Sequence, residues 1–538
     1  MRWRVLALVA VTALTAVLTP ARSGYAAAGA PAPTWGACPA APPGIQRDPR
    51  QECATLRVPL DYRQPGGRQI DIAVSRITTA KPGLRRGILL FNPGGPGGAG
   101  LDFPGQLLPA LPAAVSDRFD LIGFDPRGVG HSTPVTCGIP ADTAPDLLLP
   151  YPAADGSIDR NVAFARATAD GCARHSGALL PYITTANTAR DMDRIRVALG
   201  ERKLSYFGLS YGSYLGAVYA ALFPQRGDRI LLDSAVDPKL VWYDQWRAWG
   251  PGIALRLPDF TAWAAARDAS YHLGATPEAV EKTYYDLAAR LDRDPLPADG
   301  YPFTGNVLRL VTFDRLYFDF RFPELAGIWQ QVASATGAGA PPAAAAPPAA
   351  AAPPVTAARP ATAALRTLAD EAAVPADNLR SAQYAVLCDD VAWPRDLATY
   401  AANVAVDRRL YPAAAGMPSN AWPCAFWKYR PAQPPVAVTD NGPRNVLILQ
   451  NLRDPATPWF SGYGLRQAFG RRAGFVSVDQ GGHGVYLFTR STCANDLATA
   501  FLARGELPER DTLCPGQSPG DVTGPGLAPR VTLPGPLG

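Results

Sequence analysis

A serine at position 210 lies in a short glycine motif that can present a nucleophile. The stretch Gly208-Leu-Ser-Tyr-Gly212 matches the pattern GxSxG and stands between a predicted strand and a predicted helix. Glycines on both sides allow a turn so tight that the serine hydroxyl projects above the end of a sheet. The same five-residue pattern also occurs by chance in Gly/Ser turns, but here the strand before it and the amphipathic helix after it supply the required context. The sequence therefore predicts Ser210 as a nucleophile.

A serine hydroxyl becomes reactive when a neutral imidazole accepts its proton, so Ser210 requires a histidine partner. His483 stands in Gly481-Gly-His-Gly484, a glycine-rich loop directly after the last predicted strand. A base that follows the nucleophile in the chain belongs in such a loop, and His483 is therefore the predicted base. Structural roles are favoured for the other three histidines, which are His131, His175 and His272.

The imidazole in turn needs a carboxylate on its second nitrogen, which fixes the tautomer and stabilises the imidazolium. Asp454 follows the seventh predicted strand in Arg453-Asp-Pro-Ala-Thr-Pro458 and completes the chain order Ser, Asp, His. An Asp-Pro pair can also simply initiate a turn. Asp479 is the alternative partner because it is closer to His483, but it belongs to the end of a predicted strand. We expect Asp454 to orient His483.

Two N–H groups must stabilise the oxyanion that forms during acyl transfer. The loop Asn92-Pro-Gly-Gly-Pro-Gly-Gly98 follows the third predicted strand, and its glycines allow the backbone to approach a substrate carbonyl closely. We assign one predicted donor to the N–H of Gly95 and the other to the N–H of Tyr211. A phosphate-binding loop is disfavoured because the spacing fits neither GxxxxGK nor GxGxxG.

Short apolar runs bounded by turn residues predict the strands that position these groups. Eight such runs occur, at residues 54–60, 69–77, 87–91, 119–124, 204–208, 229–232, 445–450 and 474–478. Helical patterns at residues 188–199 and 213–222 alternate with the later strands, as in a parallel sheet covered on both faces. We therefore predict an α/β fold with an eight-stranded, mostly parallel sheet.

A long helical region interrupts this pattern between the sixth and seventh predicted strands. Residues 241–442 are rich in Trp, Tyr and Ala and include helical stretches at 242–249 and 277–291. We interpret them as a helical lid inserted into a core formed by residues 35–240 and 443–514. Residues 337–363 are almost wholly Ala, Pro and Gly, and this composition, like that of the tail at 515–538, predicts a mobile segment.

The N-terminus predicts export from the cell. Arg2 and Arg4 precede an apolar run and a small-residue stretch with a cleavage site near Ala28, which is typical of a secretory signal peptide covering residues 1–30. The run is shorter than the ~20 residues of a membrane-spanning helix. We expect a protein released from the membrane.

Eight cysteines form an even set, as expected for disulfides in an exported chain. Their spacing favours the sequential pairs Cys38–Cys53, Cys137–Cys172, Cys388–Cys424 and Cys493–Cys514. Metal binding is disfavoured because no CxxC, HxH or HExxH spacing occurs. We expect neither a metal nor a cofactor.

The composition excludes two classes of protein. Hydrophobic residues at 47% and charged residues at 18% describe a chain that buries a large core, not a disordered one. Lys and Arg number 51 against 46 Asp and Glu, and removing the three leader arginines leaves 48 against 46. This near balance excludes nucleic-acid binding as the main activity.

Five blocks together resemble the secreted tripeptidyl aminopeptidases, which are α/β-hydrolase serine peptidases related to prolyl aminopeptidases. The blocks, in chain order, are NPGGPGG from Asn92, DPRGVGHS from Asp125, GLSYGSYLG from Gly208, RDPATP from Arg453 and GGHG from Gly481. The resemblance covers the chain from about Trp35 to Cys514. Pro93 stands where the prolyl aminopeptidase motif HGGPG has its histidine, which favours the tripeptidyl branch.

The resemblance implies a serine exopeptidase that releases short peptides, often tripeptides, from free N-termini. Such an enzyme must bind an ammonium group, for which carboxylates are suited. Asp389 and Asp390 resemble an acidic block of the family's lid and are the implied partners of the substrate N-terminus. Two other functions remain open: a carboxylic-ester hydrolase with the same triad, and a non-catalytic binding protein on a hydrolase scaffold. A penicillin-recognising enzyme is disfavoured because no SxxK occurs.

Overall fold

A computed structural model describes residues 32–517 except residue 299 and residues 338–373. The predicted signal peptide, nearly all of the Ala/Pro-rich segment and most of the C-terminal tail lie outside the described residues. Within the described part of the chain, no helix combines the length and the apolar character that crossing a bilayer requires.

The core is a single nine-stranded sheet. Its strands are β1 (Glu52–Pro59), β2 (Gln69–Ile77), β3 (Gly87–Asn92), β4 (Phe119–Phe124), β5 (Leu204–Leu209), β6 (Gly227–Asp233), β7 (Val446–Arg453), β8 (Ala473–Gly481) and β9 (Thr512–Cys514). The eight predicted strands are confirmed within a few residues at each end. The predicted number of eight is wrong because β9 has only three residues, too few to show an apolar pattern.

The strands lie in the order β1-β2-β4-β3-β5-β6-β7-β8-β9. β1 and β2 pair antiparallel, and β2 pairs antiparallel with β4, while every later pairing is parallel. All residues of β3 and β5 are buried. Continuous burial is what a central parallel strand requires when helices cover both faces of the sheet.

Neighbouring residues on one central strand belong to different apolar clusters, one on each face of the sheet. Leu90 belongs to the cluster that contains Met192 and Leu215, whereas Leu89 belongs to the cluster that contains Val115 and Phe501. Since side chains alternate between the faces of a strand, this partition shows that the sheet is covered on both sides. The helices outside the inserted region are α1 (Phe103–Leu107), α2 (Ala113–Ser116), α3 (Pro145–Leu148), α4 (Asp159–Ser176), α5 (Thr185–Ala198), α6 (Tyr211–Leu222), α15 (Trp459–Phe469) and α16 (Thr492–Arg504).

The region between β6 and β7 is helical. Its helices are α7 (Tyr243–Arg247), α8 (Trp249–Ala265), α9 (Asp268–Tyr271), α10 (Pro277–Arg293), α11 (Gly305–Arg315), α12 (Phe322–Ala335), α13 (Asn378–Asp390) and α14 (Leu397–Leu410). The stretch 242–249, predicted as one helical segment, is divided between α7 and α8. Pro251 explains the break because it has no N–H to donate to the carbonyl of Arg247.

Four disulfides stabilise the chain, and they join the pairs expected from the sequential spacing: Cys38–Cys53, Cys137–Cys172, Cys388–Cys424 and Cys493–Cys514. The last of them links the start of α16 to β9, the strand that sequence patterns did not predict. A cross-link of this kind reduces the entropy of the unfolded chain, which favours docking of so short an edge strand.

Candidate active site

Ser210 occupies a strained turn between β5 and α6. Its backbone has φ 59° and ψ −124°, a conformation that costs free energy for a residue with a side chain. A Cβ atom at Gly208 would lie 2.2 Å from the carbonyl oxygen of Gly212, and one at Gly212 would lie 2.8 Å from the carbonyl oxygen of Asn92. Only glycine fits at these two positions, as the motif requires. The turn is held by the N–H of Ser210, which donates to the carbonyl of Asp233 at 2.9 Å.

His483 and Asp454 form a buried pair on the loops that follow β8 and β7. The Nδ1 atom of His483 is 2.9 Å from both carboxylate oxygens of Asp454, which is fully buried. Asp454 also accepts hydrogen bonds from the N–H groups of Ala456 and Thr457, at 2.9 Å each, and from the Thr457 hydroxyl at 3.0 Å. These donors fix the carboxylate. A proton on Nδ1 then leaves Nε2 of His483 as a proton acceptor.

Asp479, the alternative carboxylate partner for His483, does not lie at the imidazole. Asp479 projects from β8 into solvent, and its carboxylate accepts a hydrogen bond from Nη1 of Arg453 at 2.7 Å. The other three histidines are exposed, whereas His483 is 3% exposed. Burial and hydrogen bonding thus distinguish His483 and Asp454 from the other candidates that the sequence offers.

The glycine loop after β3 packs directly against the turn that carries Ser210. Gly94 and Gly95 have φ of +95° and +112°, and a Cβ atom at Gly94 would lie 2.5 Å from the carbonyl oxygen of Leu209. Gly95 and Tyr211, the two predicted oxyanion donors, line the same cavity as Ser210. This contact is possible only because the loop lacks side chains at these positions.

Asp125 anchors the far end of the glycine loop. Its fully buried carboxylate accepts the N–H groups of Gly100 at 2.9 Å and Leu101 at 3.0 Å, and that of His131 at 2.8 Å. Asp125 begins the DPRGVGHS block, to which sequence reasoning gave no role. The burial of this aspartate in a block between two strands could not be read from its neighbours in the chain.

A second residue without a predicted role, Asp233, holds the loop that carries His483. It ends β6, and its buried carboxylate accepts the N–H groups of Val485 at 2.9 Å and Tyr486 at 2.7 Å. The hydroxyl of the next residue, Ser234, accepts the N–H of Gly484 at 2.7 Å. Because the carbonyl of Asp233 also accepts the N–H of Ser210, one residue connects the turn that carries Ser210 to the loop that carries His483.

Burial raises the pKa of Asp233 to about 7, against 3.8 for an unperturbed aspartate. Because the folded state binds this proton more tightly than the unfolded chain does, the contribution of Asp233 to the free energy of unfolding is fully present below about pH 4. That contribution is lost as the pH rises to about 7. The loss is on the order of 4 kcal/mol. We expect Asp233→Asn to flatten the dependence of the unfolding free energy on pH over this interval, as measured by guanidinium unfolding.

The matched control for that experiment is Asp479→Asn, whose carboxylate is exposed. This variant should follow the pH dependence of the native protein. A full pH slope retained in Asp233→Asn would contradict the assignment of the raised pKa to this residue.

The cavity beside Ser210 has a volume of about 600 Å³ including its mouth. Half of its lining residues, eight of sixteen, come from the inserted helical region, and five of these eight are aromatic or apolar. The lining residues from that region are Trp242, Gln245, Trp246, Trp249, Tyr317, Leu379, Arg380 and Gln383. Thr457, which bonds Asp454, lines the cavity as well. The inserted region and the core of the fold therefore contribute equal numbers of residues to the wall of this cavity.

Asp389 and Asp390 lie at a second cavity, which shares no lining residue with the first. Asp390 accepts the N–H and hydroxyl of Thr185 at 2.8 and 2.6 Å and the indole N–H of Trp242 at 3.0 Å. The Thr185 hydroxyl also lies 2.9 Å from the hydroxyl of Tyr211. The carboxylate of Asp390 therefore supports two residues that line the Ser210 cavity, and its burial raises its pKa to about 6.

Asp389 differs from its neighbour in one respect. One carboxylate oxygen accepts the indole N–H of Trp427 at 2.8 Å, while the other has no hydrogen-bond partner among the described residues. The side chain is 2% exposed, and burial raises its pKa well above the usual range. Within the part of the chain that the structure describes, the second carboxylate oxygen of Asp389 is therefore buried without the hydrogen-bond donor or the positive charge that a buried carboxylate normally requires.

The fold and the comparisons with known proteins define the class of the protein. Residues 87–489 match the alpha/beta hydrolase fold family, and the chain belongs to it. It is a serine hydrolase. Its relatives include a tripeptidyl aminopeptidase of Streptomyces lividans, which is 36% identical over 480 residues that cover 86% of this chain and 83% of the relative. The predicted resemblance to tripeptidyl aminopeptidases is confirmed.

Two further relatives are a serine protease and a carboxylesterase. The serine protease Hip1 of Mycobacterium tuberculosis is 28% identical over 498 residues, covering 89% of this chain and 90% of the relative. Carboxylesterase B of the same organism is 30% identical over 504 residues, covering 90% of both chains. Peptidases and an esterase are thus found among relatives that match nearly the whole chain.

Proposed function

We propose that this protein is a secreted serine exopeptidase that releases short peptides, most often tripeptides, from free N-termini. The observation that carries the proposal is the Asp454–His483 pair on the loops beside the cavity that Ser210 lines. The similarity to a tripeptidyl aminopeptidase over 86% of the chain supports the choice of substrate. Mass spectrometry of the products from a mixed peptide library tests it, and tripeptides from free N-termini are the expected products.

The proposed reaction proceeds through an acyl-enzyme. Ser210 Oγ attacks the carbonyl carbon of the scissile peptide bond while Nε2 of His483 takes the hydroxyl proton. The N–H groups of Gly95 and Tyr211 stabilise the oxyanion. The imidazolium then gives its proton to the leaving amine, so the C–N bond breaks and the acyl group remains on Ser210. Water repeats the sequence, with His483 as its base, and releases the peptide acid.

Asp454 supports both halves of this reaction. Its carboxylate holds Nδ1 of His483 and stabilises the imidazolium that forms twice in each turnover. The Thr457 hydroxyl, 3.0 Å from Asp454 and 3.5 Å from Nδ1 of His483, helps to fix the pair. The oxyanion donors come from a rigid loop and a helix start, so they need no rearrangement when charge develops.

An aminopeptidase must distinguish a free N-terminus from a blocked one. We expect N-acetylation of a tripeptide amide to reduce kcat/KM by at least about tenfold, because the acetyl group removes the ammonium charge and its charge-assisted hydrogen bonds. The measurement compares free and acetylated forms of the same substrate.

The similarity to carboxylesterase B favours a second candidate, a carboxylic-ester hydrolase with the same triad. Esters and amides pass through the same tetrahedral intermediate, so the triad cannot separate them. Equal rates on free and acetylated substrates would contradict the aminopeptidase proposal and favour the esterase.

We propose Asp389 as the residue that binds the substrate ammonium group, with Asp390 in a supporting role. An ammonium ion would supply the donor and the counter-charge that the second oxygen of Asp389 lacks. The contacts from Asp390 through Thr185 to Tyr211 link this cavity to the nucleophile turn. The N-terminus would then bind away from Ser210, as the removal of several residues requires.

The prediction for Asp389→Asn is a higher KM, by about ten- to a hundredfold, for a tripeptide amide with a free N-terminus. Hydrolysis of an N-acetylated ester should not change, since that substrate has no ammonium group. Asp286→Asn, which alters an exposed carboxylate on α10, serves as the control. An unchanged KM in Asp389→Asn would remove this residue from the proposed subsite.

Secretion is part of the proposal. The four disulfides support it because they persist in oxidising compartments outside the cytoplasm. N-terminal sequencing of the protein recovered from culture medium should find a start near Ala28. Recovery of the full-length chain from the cytoplasm alone would contradict export.

A further inference from the structure

A series of aromatic rings leads from His483 to the protein surface. The ring of Tyr317 lies 5.0 Å from the imidazole of His483, and the ring of Phe318 lies 6.2 Å from that of Tyr317. Phe318 then stacks on Phe320 at 5.0 Å and on Phe488 at 6.2 Å. We call these four residues, Tyr317, Phe318, Phe320 and Phe488, the aromatic ladder. Its outer member, Phe320, is 37% exposed.

The ladder is held firmly beside the histidine loop. The carbonyl of Tyr317 accepts the backbone N–H of His483 at 2.8 Å. Asp319, between the two phenylalanines, pairs with the buried guanidinium of Arg256, which also donates to the carbonyl of Leu316 at 2.9 Å. Phe488 follows His483 by five residues. The segment from Tyr317 to Phe320 therefore has a defined position relative to the imidazole.

The chemistry of the proposed reaction decides which part of a substrate meets these rings. His483 must donate its proton to the leaving amine, so the C-terminal part of the peptide, which carries that amine, lies on the imidazole side of the scissile bond. The acyl part lies on the opposite side, in the cavity whose wall includes Trp242 and Trp246. Tyr317 borders both regions, since it lines that cavity and contacts His483.

We propose that the aromatic ladder is a subsite for the residue that follows the scissile bond, and that it selects an aromatic side chain there. The inference rests on the proposed peptidase function and adds a preference on the leaving side. An aromatic side chain gains from apolar burial and from edge or stacked contacts with Phe318 and Phe320. A glycine at the same position gains neither.

The test compares two hexapeptides that differ only in the residue after the cleaved bond. With Ala-Ala-Ala-Phe-Ala-Ala and Ala-Ala-Ala-Gly-Ala-Ala, mass spectrometry first locates the cut, and the variable residue is moved if the cut falls elsewhere. Chromatography of the products then gives kcat/KM for each peptide. We expect the phenylalanine peptide to be favoured by about three- to tenfold.

The Phe320→Ala variant should lower that preference to less than about twofold. Its guanidinium unfolding midpoint should match that of the native protein, which shows that the variant is folded. Phe320→Trp should retain the preference because it restores an aromatic face. Leu410→Ala removes a different exposed apolar side chain, one that is 61% exposed at the end of α14, and should leave the preference intact.

Two results would overturn the subsite, and both are distinct from failure of the peptidase proposal. Equal rates of the native protein on the two peptides would show that the leaving side is not selected. If Phe320→Ala kept the full preference for the phenylalanine peptide, residues other than Phe320 would be responsible for that preference. If neither hexapeptide is cleaved while esters are hydrolysed, the proposed peptidase function itself is wrong, and the subsite falls with it.

Discussion

Replacing Ser210 with alanine is expected to lower turnover of an N-terminally free tripeptide amide by about a millionfold, which in practice abolishes it. The variant lacks the oxygen that forms the acyl-enzyme, and the triad acts as a unit, so His483 and Asp454 cannot compensate. Residual hydrolysis would come only from the oxyanion donors and from substrate binding. The measurement is product release at high enzyme concentration.

The Ser210 side chain contributes little to folding, since it is only half-buried, whereas its backbone is held by Asp233. The variant should therefore unfold at the same guanidinium concentration as the native protein. Ser334→Ala, an exposed serine on α12, is the matched control. Turnover retained in Ser210→Ala, with unchanged product identity, would refute the assignment of the nucleophile.

Labelling by a fluorophosphonate probe extends this test to the non-catalytic alternative. Such a probe forms a bond only with an activated serine, so the native protein should be labelled once per chain and Ser210→Ala not at all. An absence of labelling in the folded native protein would favour a binding protein on a hydrolase scaffold.

Asp454→Asn is expected to lower kcat by about ten-thousandfold with little change in KM. The asparagine amide can keep the position of the imidazole, but an amide N–H pointing at Nδ1 favours the wrong tautomer and cannot stabilise the imidazolium. The N–H groups of Ala456 and Thr457 both donate to Oδ1 of Asp454, and the amide oxygen of the asparagine can accept them in the same way. The effect should therefore appear in the chemical step, as measured by steady-state kinetics.

Asp479→Asn separates the two aspartates near His483. Its carboxylate is exposed and pairs with Arg453, so loss of that ion pair should change kcat by less than about twofold. If Asp479→Asn caused the large loss and Asp454→Asn did not, the order of residues in the triad would have to be reassigned.

The sequence predicted most of the sheet because central parallel strands are short, rich in apolar residues and bounded by turn residues. The strand that ends at Leu209 and the strand that ends at Arg453 were both evident from local patterns. The strand Thr512–Cys514 was not, since three residues carry no periodicity and its position depends on pairing with β8 and on the disulfide to Cys493.

The candidate triad could be proposed from chain order because each member follows a strand whose carboxyl end reaches the same edge of the sheet. The choice between Asp454 and Asp479 needed the tertiary structure. Both lie near strand ends in the sequence, and only the direction of each side chain shows that one meets the imidazole and the other meets solvent.

The sequence by itself determined the class of fold and predicted the turn that carries Ser210 and the chain order of the proposed triad, since these follow from local patterns of apolar residues and glycines. Tertiary structure alone decided that Asp125 and Asp233 anchor the two loops of the site, that Asp390 supports its wall, and that an aromatic ladder borders His483. These features join residues far apart in the chain. Burial, ring contacts and hydrogen bonds between such residues depend on how the elements pack, which no local pattern specifies.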